Sequence, residues 1–431
     1  MAKRRSLTSA LHVGEVDDDE LATVLTSVLP RGAQFTGNEV EYRTANDEVA
    51  LTLVYREGRV VEAYAGTAFS SELERQIDSA IRHDLLGMAE QEVCRWTMFA
   101  GRRVEGVWRY RDQLQIVPAP SQAARPNVEF ADHPFIVDFV FDASPNGQIR
   151  NLRYSRKAYE LTLVLDLLLV SGISTTSNRG QHRWVFLPWD PTEEPQPEVV
   201  WAQDGYFIPD FTYLVASLPD ETVQPLAEVE SARYYDPYDF DVRSDVLAVP
   251  TELEGLLGCF FGLQGENRER FLRACYWHHM ARTIWPQSQS LHLASLVNAI
   301  ECMASIGPER DTPDGPTKLF IDFMREYAPG APSKKKINRL YDTRSHITHG
   351  ERLLHYDQPP SAAALTQRST ADRQAGDDAT VLCRGALLNW LWTSQEDPRR
   401  EHIVTRGLRA ERPAKPGTKS GVVVVTPGEG S

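Results

Sequence analysis

The spacing of apolar residues changes near residue 250 of this chain, and the change restricts the folds that it can adopt. Downstream, apolar residues recur at i, i+3, i+4, i+7 and i+11 from residue 293 to residue 304, which is the period of an amphipathic helix. Further helical runs lie at 268–285, 320–327, 333–348 and 381–392. The sequence therefore predicts that residues 251–396 form an all-α helical bundle.

Upstream of residue 250 the pattern mixes strands with helices. Val49, Leu51 and Leu53 occupy every second position before Glu57 and Gly58, which is typical of a β-hairpin. Strand-like runs lie at 93–99 and 134–141, and helix-like runs start near 70 and 156. Residues 1–250 are therefore predicted to form an α+β region of one or two domains. This region contains none of the common phosphate-binding or hydrolase motifs.

Two segments of the chain have too few apolar residues to predict a packed structure. Residues 358–378 are predicted to be a mobile connection within the helical part. Residues 397–431 are basic and rich in Pro and Gly, and they are predicted to be a disordered tail. The chain is thus divided at 250 and 396 into a regulatory or sensor region, a helical domain and a tail.

The formal net charge of −14 argues against general nucleic-acid binding, because such domains are usually basic. Positive charge is nevertheless concentrated locally at Lys334, Lys335, Lys336, Arg339 and Arg352. These residues either guide an RNA backbone or are simply the solvated end of a helix. The sequence leaves both interpretations open.

Cysteine usage indicates a reducing compartment, so a cytoplasmic protein is expected. The five cysteines are scattered without CxxC pairs or metal-ligand spacing. No apolar run reaches the ~20 residues that span a bilayer, so no membrane partner is expected. We expect neither a metal ion nor a cofactor.

The segment YDTRSHITHG at 341–350 carries the residues best suited to chemistry. Arg344 is a permanent cation whose planar group suits phosphate, and His349 is a side chain that exchanges protons near neutral pH. Cleavage of RNA by its own 2′-hydroxyl needs a group of each kind. His346 lies one turn before His349 and is a candidate supporting group.

Helical geometry makes two demands on this segment. Arg344 lies in the middle of an apolar stripe that includes Leu340 and Ile347, so it needs a partner. Measured around the helix axis, the side chain of His349 points ~140° away from that of Arg344. Either the helix bends near Gly350, or two copies of the segment complete one site across a dimer axis.

The run LYDTRSHITHGERL, preceded by SLHLASLVNAIECMAS and followed by ATVLCRGALLNWLW, resembles the HEPN superfamily, and most closely its ApeA-like branch in antiphage defence. HEPN domains are helical bundles that dimerise, and their active members cut RNA without metal through an Arg-x4-6-His motif. The resemblance implies that Arg344 and His349 are the motif residues. Ser345 would occupy the commonly polar position after the arginine, and Glu301 would match an acidic position in a preceding helix.

These observations predict a cytoplasmic, homodimeric, metal-independent endoribonuclease. The resemblance implies a toxin-like hydrolase that acts in abortive infection, with a phage-derived trigger sensed by residues 1–250. One alternative is a non-catalytic HEPN-type module for dimerisation or for nucleotide or RNA binding. Another is a small-molecule sensor in which Arg344 binds a phosphate without cleavage.

Overall fold

The computed structural model describes residues 4–29, 31–88, 90–124, 131–175, 184–186, 201–203, 206, 208–220, 224–239, 245–304, 315–358, 367–394 and 400–407. Over these residues the chain has an N-terminal α+β region and a C-terminal helical region, as its changing periodicity predicts. None of the described helices is both long enough and apolar enough to cross a bilayer.

The chain begins with a four-stranded antiparallel sheet in sequential order that packs against two helices. The predicted hairpin is confirmed, because Arg56 pairs with Arg59 across a turn in which Glu57 and Gly58 both have positive φ. Ser70 caps the second helix, because its hydroxyl accepts the backbone N–H of Leu73. The elements are α1 (Asp18–Val28), β1 (Ala33–Thr36), β2 (Glu39–Arg43), β3 (Val49–Arg56), β4 (Arg59–Ala65) and α2 (Ser71–Asp84).

A second, six-stranded sheet follows, and a long helix packs against it. Its strands and the helix are β5 (Glu90–Ala100), β6 (Trp108–Tyr110), β7 (Leu114–Pro118), β8 (His133–Ala143), α3 (Gly147–Leu168), β9 (Ser174–Thr175) and β12 (Leu214–Val215). The strand order is β12-β5-β8-β7-β6, with β9 also paired to β5. Two small ribbons and a short helix complete the region: β10 (Trp184–Phe186), β11 (Trp201–Gln203), β13 (Ala227–Val229), α4 (Ser231–Tyr234) and β14 (Ala248–Pro250).

Six helices and a short 3-10 turn follow β14 in the described part of the chain. They are α5 (Leu253–Gly262), α6 (Gly265–Ile284), α7 (Gln289–Ala304), α8 (Pro316–Tyr327), α9 (Lys334–Thr348), the turn His355–Asp357, and α10 (Gln367–Thr393). Helix α7 lies at their centre and packs against α6, α8, α9 and α10. It is the most buried of them because Leu293, Leu296, Val297 and Ile300 recur on the predicted face.

Parts of two stretches that we expected to lack structure are ordered. Helix α10 begins at Gln367, within the predicted mobile connection. Asp372 and Asp378 explain this, because they lie buried in α10 and pair with Arg352 and Lys336. In the predicted tail, residues 400–407 pack against the bundle, where the backbone N–H of Val404 donates to Asn389 Oδ1 at 2.8 Å. Residues 408–431 lie outside the described residues.

A buried polar network joins α3 to the helical region. The carboxylate of Asp166 lies 2.8 Å from Arg282 Nε and 2.9 Å from His279 Nδ1, both on α6. Arg384 of α10 donates to the carbonyl oxygen of Asp166 at 2.6 Å. One hydrophobic core runs from Cys94 to Val404 and includes residues on both sides of the boundary that we predicted at 250. The two regions are therefore packed together, and α6 connects them.

Candidate anion-binding site

Helix α9 has the sequence signals of a helix with a fixed start and a fixed end. The hydroxyl of Ser333 accepts the backbone N–H of Lys336 at 3.3 Å and so caps the start of the helix. At the other end the N–H of Gly350 donates to the carbonyl of Ile347, and the N–H of Glu351 donates to that of His346. This is a Schellman motif, in which Gly350 adopts a φ of 73°. The helix therefore stays regular through Thr348 and turns only after His349.

Arg344 has the partners that its place on the apolar face demands. Its Nε and Nη2 donate to Asn298 Oδ1 at 3.2 and 3.0 Å, and Nη2 also donates to the carboxylate of Glu301. Both acceptors lie on α7, three residues apart, so they lie on the same face of that helix. Asn298 was not identified from the sequence. Its only signal is its place one turn before Glu301.

Glu301 is a carboxylate with an altered proton affinity. Burial raises its pKa, whereas the nearby Arg344 guanidinium and a hydrogen bond from Tyr341 oppose that increase. The net pKa of Glu301 is higher than that of an ordinary glutamate. The carboxylate thus takes up a proton more easily than a solvated one, and protonation would weaken its hold on Arg344.

These side chains line a cavity of about 570 Å³ between α6, α7 and α9. Helix α6 contributes residues that we did not identify from the sequence: Arg270, Arg273 and Trp277, spaced i, i+3 and i+7. Among the described residues the lining consists of Arg270, Arg273, Trp277, Asn298, Glu301, Cys302 and Arg344. In the part of the chain that the structure describes, three guanidinium groups and one carboxylate therefore surround a space that could hold an anion.

The two arginines of α6 differ in how many hydrogen bonds and ion pairs they make with the rest of the protein. Arg270 is buried and pairs with Glu266, at 2.9 Å from Nε and 2.7 Å from Nη2. Arg273 is exposed, and its Nε donates to the carbonyl oxygen of Glu269 at 3.4 Å. Within the described chain no carboxylate pairs with Arg273. It is therefore the arginine of this cavity whose charge is least compensated.

The motif histidines lie elsewhere. His349 is exposed at the end of α9, with its backbone N–H bonded to the carbonyl of Ser345 at 3.0 Å, and it is not among the described residues that line the cavity. His346 is also exposed and lies 2.5 Å from Glu351 Oε2 through Nδ1. Ser345 is half-buried. Because α9 is regular, Arg344 and His349 still point ~140° apart, so one chain does not bring them onto one face.

The basic residues that we predicted to guide an RNA backbone are partly neutralised by nearby carboxylates. Lys336 lies 3.2 Å from Asp378, and Arg352 pairs with Asp372. Arg339 donates to a backbone carbonyl oxygen of α10 at 2.9 Å. Three of the five remain exposed without a carboxylate ion pair in the described chain: Lys334, Lys335 and Arg339. The positive surface beside α9 is therefore weaker than its sequence indicates.

Among the described residues no group of three or more His, Cys, Asp or Glu side chains could hold a metal ion. All five cysteines are free, and burial raises the pKa of Cys302 in the cavity wall. No protein-family model, curated protein or solved structure matches the chain.

Proposed function

We propose that this chain is an endoribonuclease of the HEPN type that cleaves RNA without metal, with Arg344 and His349 as its catalytic residues. The observation that carries the proposal is the way in which neighbouring side chains hold Arg344. It is anchored on Asn298 and Glu301 at the wall of the cavity, and its Nη1 has no acceptor in the described chain. An arginine held in this way is positioned to bind a phosphoryl oxygen without first being ordered.

The chemistry would follow from the two residue types. His349 accepts the proton of a ribose 2′-hydroxyl, whose oxygen forms a bond to the adjacent phosphorus, and the bond from phosphorus to the 5′-oxygen breaks. The 5′-oxygen takes a proton from water and the protonated His349 returns its proton to the solvent, so the products carry a 2′,3′-cyclic phosphate and a 5′-hydroxyl. Arg344 stabilises the negative charge on the phosphoryl oxygens during the transfer.

A homodimer would bring together Arg344 and His349, whose side chains point apart within one chain. Since α9 does not bend before His349, Arg344 of one copy would act with His349 of another. Leu353 and Tyr356 follow the motif, and they are 47% and 44% exposed. Large apolar side chains beside the motif favour an interface at this end of the helical region.

One observation favours a second function, that of a non-catalytic module that binds a nucleotide or RNA. The cavity holds the arginines but not His349, so binding within one chain would need no proton-transfer group. Loss of His349 separates the two functions, because binding should survive it and cleavage should not.

The biological role that we propose is cell arrest during phage infection. In this role residues 1–250 would sense a phage-derived trigger in the cytoplasm and control the helical region. What supports such coupling is the buried contact of Asp166 with Arg282 and His279, since α6 also carries Arg273 into the cavity.

The experiment is induced expression of the intact chain, Arg344→Ala and His349→Ala in a bacterial host, with and without phage. Growth and total RNA integrity are scored, and His83→Ala on α2 serves as the control because His83 is 69% exposed and distant in sequence from the motif. We expect fragmented RNA and protection with the intact chain and the control only. Equal behaviour of all four proteins would refute the proposal.

A further inference from the structure

We infer that the cavity between α6, α7 and α9 binds one nucleotide of the RNA substrate, with its phosphate held by Arg273 and Arg344 and its base against Trp277. This inference rests on the proposed function and adds to it a binding site outside the Arg-x4-His motif.

The backbone places the required groups opposite one another. Arg273 and Trp277 are four residues apart, so they lie on one face of α6. Asn298 and Arg344 approach from α7 and α9 and line the same space. Helices α6 and α7 pack together along their length. The cavity wall is therefore made of regular helices, and its geometry is fixed before a ligand arrives.

The charges of the cavity favour a phosphate. Glu266 compensates Arg270, and Glu301 compensates Arg344, whereas Arg273 has no carboxylate partner in the described chain. Counted over its described lining residues and their ion pairs, the cavity therefore has one positive charge in excess. Planar guanidinium groups bind phosphate oxygens through paired N–H donors, which a single point charge cannot do.

Free donors remain after the protein contacts are counted. Arg344 uses Nε and Nη2 for its bonds to α7, and its Nη1 has no acceptor in the described residues. Because Arg344 donates both bonds to Asn298, the amide oxygen faces the arginine and the Nδ2 group is left to donate elsewhere. No described residue accepts from Nδ2. These N–H groups match the acceptor oxygens of a phosphate and a ribose.

The size and the aromatic wall favour a nucleotide over a simple anion. A volume of about 570 Å³ is in the range of small-molecule pockets and exceeds what inorganic phosphate needs. Trp277 is half-buried, so one part of its indole packs in the core and the rest is accessible. Proteins commonly recognise unpaired RNA bases by stacking them on aromatic rings next to arginines.

The test measures binding of a fluorescein-labelled single-stranded RNA hexamer to the full chain in a His349→Ala background, which should prevent cleavage and lies outside the cavity. Arg273→Gln should weaken binding at least tenfold and reduce the salt dependence by about one phosphate contact. Trp277→Leu should weaken binding about tenfold, because each stacked base contributes that much or more. Trp277→Phe retains a stacking face and should restore most of the loss.

Two variants serve as matched controls. Arg75→Gln removes an exposed arginine on α2, and Trp285→Leu removes a Trp that is 46% exposed at the end of α6. Neither residue lines the cavity, so both variants should bind as the parent does. Losses as large in the controls as in Arg273→Gln and Trp277→Leu would overturn the inference.

The inference and the proposed function can fail separately. If the wild-type chain cleaves RNA through Arg344 and His349, but Arg273→Gln and Trp277→Leu leave KM and hexamer binding unchanged, the nucleotide site is wrong and the proposed function stands. If nothing is cleaved but hexamer binding still needs both residues, the site stands without the catalysis. Titration with adenosine monophosphate identifies the source of the ligand. Binding of this mononucleotide but not of the hexamer would overturn an RNA site.

Discussion

Lowering the pH should destabilise the junction of α3, α6 and α10, because His278 is buried there in its neutral form. Its side chain is 5% exposed, and its Nδ1 has no hydrogen-bond partner in the described chain. The pKa of His278 is lowered from 6.5 to about 3, mainly by burial and also by the neighbouring Arg384, while Asp166 opposes the shift. The folded chain therefore binds this proton much more weakly than the unfolded chain does.

The sign and the size of the effect follow from these two pKa values. Between pH 6.5 and about 3 the unfolded chain holds a proton on His278 that the folded chain lacks, so the stability is present above 6.5 and is lost as the pH falls. Each pH unit in this window corresponds to about 1.4 kcal/mol. Going from pH 6.5 to about pH 5 should thus cost about 2 kcal/mol of unfolding free energy. Asp166, whose pKa is also lowered, adds to the loss only near and below its ordinary 3.8.

The assay is urea unfolding at constant ionic strength between about pH 7.5 and about pH 5, followed by far-UV circular dichroism. His278→Leu removes both the titrating group and the unpaired Nδ1. Its unfolding free energy should fall by about 2 kcal/mol less than that of the wild type over this interval. Leu291→Ala on α7 is the control, since Leu291 is 48% exposed and carries no titrating group, so the pH dependence should stay that of the wild type. An unchanged pH dependence in His278→Leu would refute the reasoning.

Three further predictions concern stability, each read from the midpoint of thermal unfolding. Glu301→Ala should cost about 1–2 kcal/mol, because it leaves the half-buried Arg344 without its carboxylate; a neutral result would mean that solvent already screens the pair. Asp357→Ala should cost about 1–2 kcal/mol, because Asp357 accepts the N–H groups of Gln289 and Ser290 that begin α7, and an unchanged midpoint would contradict this capping role. Gly350→Ala should cost about 1 kcal/mol, because alanine resists a φ of 73°; a stabilised variant would exclude the Schellman ending.

The sequence predicted those features that depend on neighbouring residues. The β3–β4 hairpin and the helical run at 333–348 are local, and each was found where its signal lies. The need of Arg344 for a partner could also be predicted, since a cation on an apolar stripe must be compensated. Glu301 fulfils that need.

The features that the sequence did not predict depend on contacts between distant segments. Arg273 and Trp277 line the cavity only because α6 packs against α7, and nothing in their spacing specifies that neighbour. Asp166 interrupts an apolar run, yet it is buried because α6 supplies Arg282 and His279 more than a hundred residues later. The start of α10 has few apolar residues, and Asp372 anchors it through a salt bridge to Arg352 instead.

The chemistry of the Arg344 and His349 pair is tested most directly by the ends of the RNA products. The measurement is incubation of the purified chain with a single-stranded RNA, in the presence of a metal chelator, followed by mass spectrometry of the product ends. We predict 2′,3′-cyclic phosphate and 5′-hydroxyl ends with the wild type, and no products with Arg344→Ala, with His349→Ala or from a fully 2′-O-methylated RNA. Cleavage that persists in both variants, or that persists on the methylated RNA, would contradict the account.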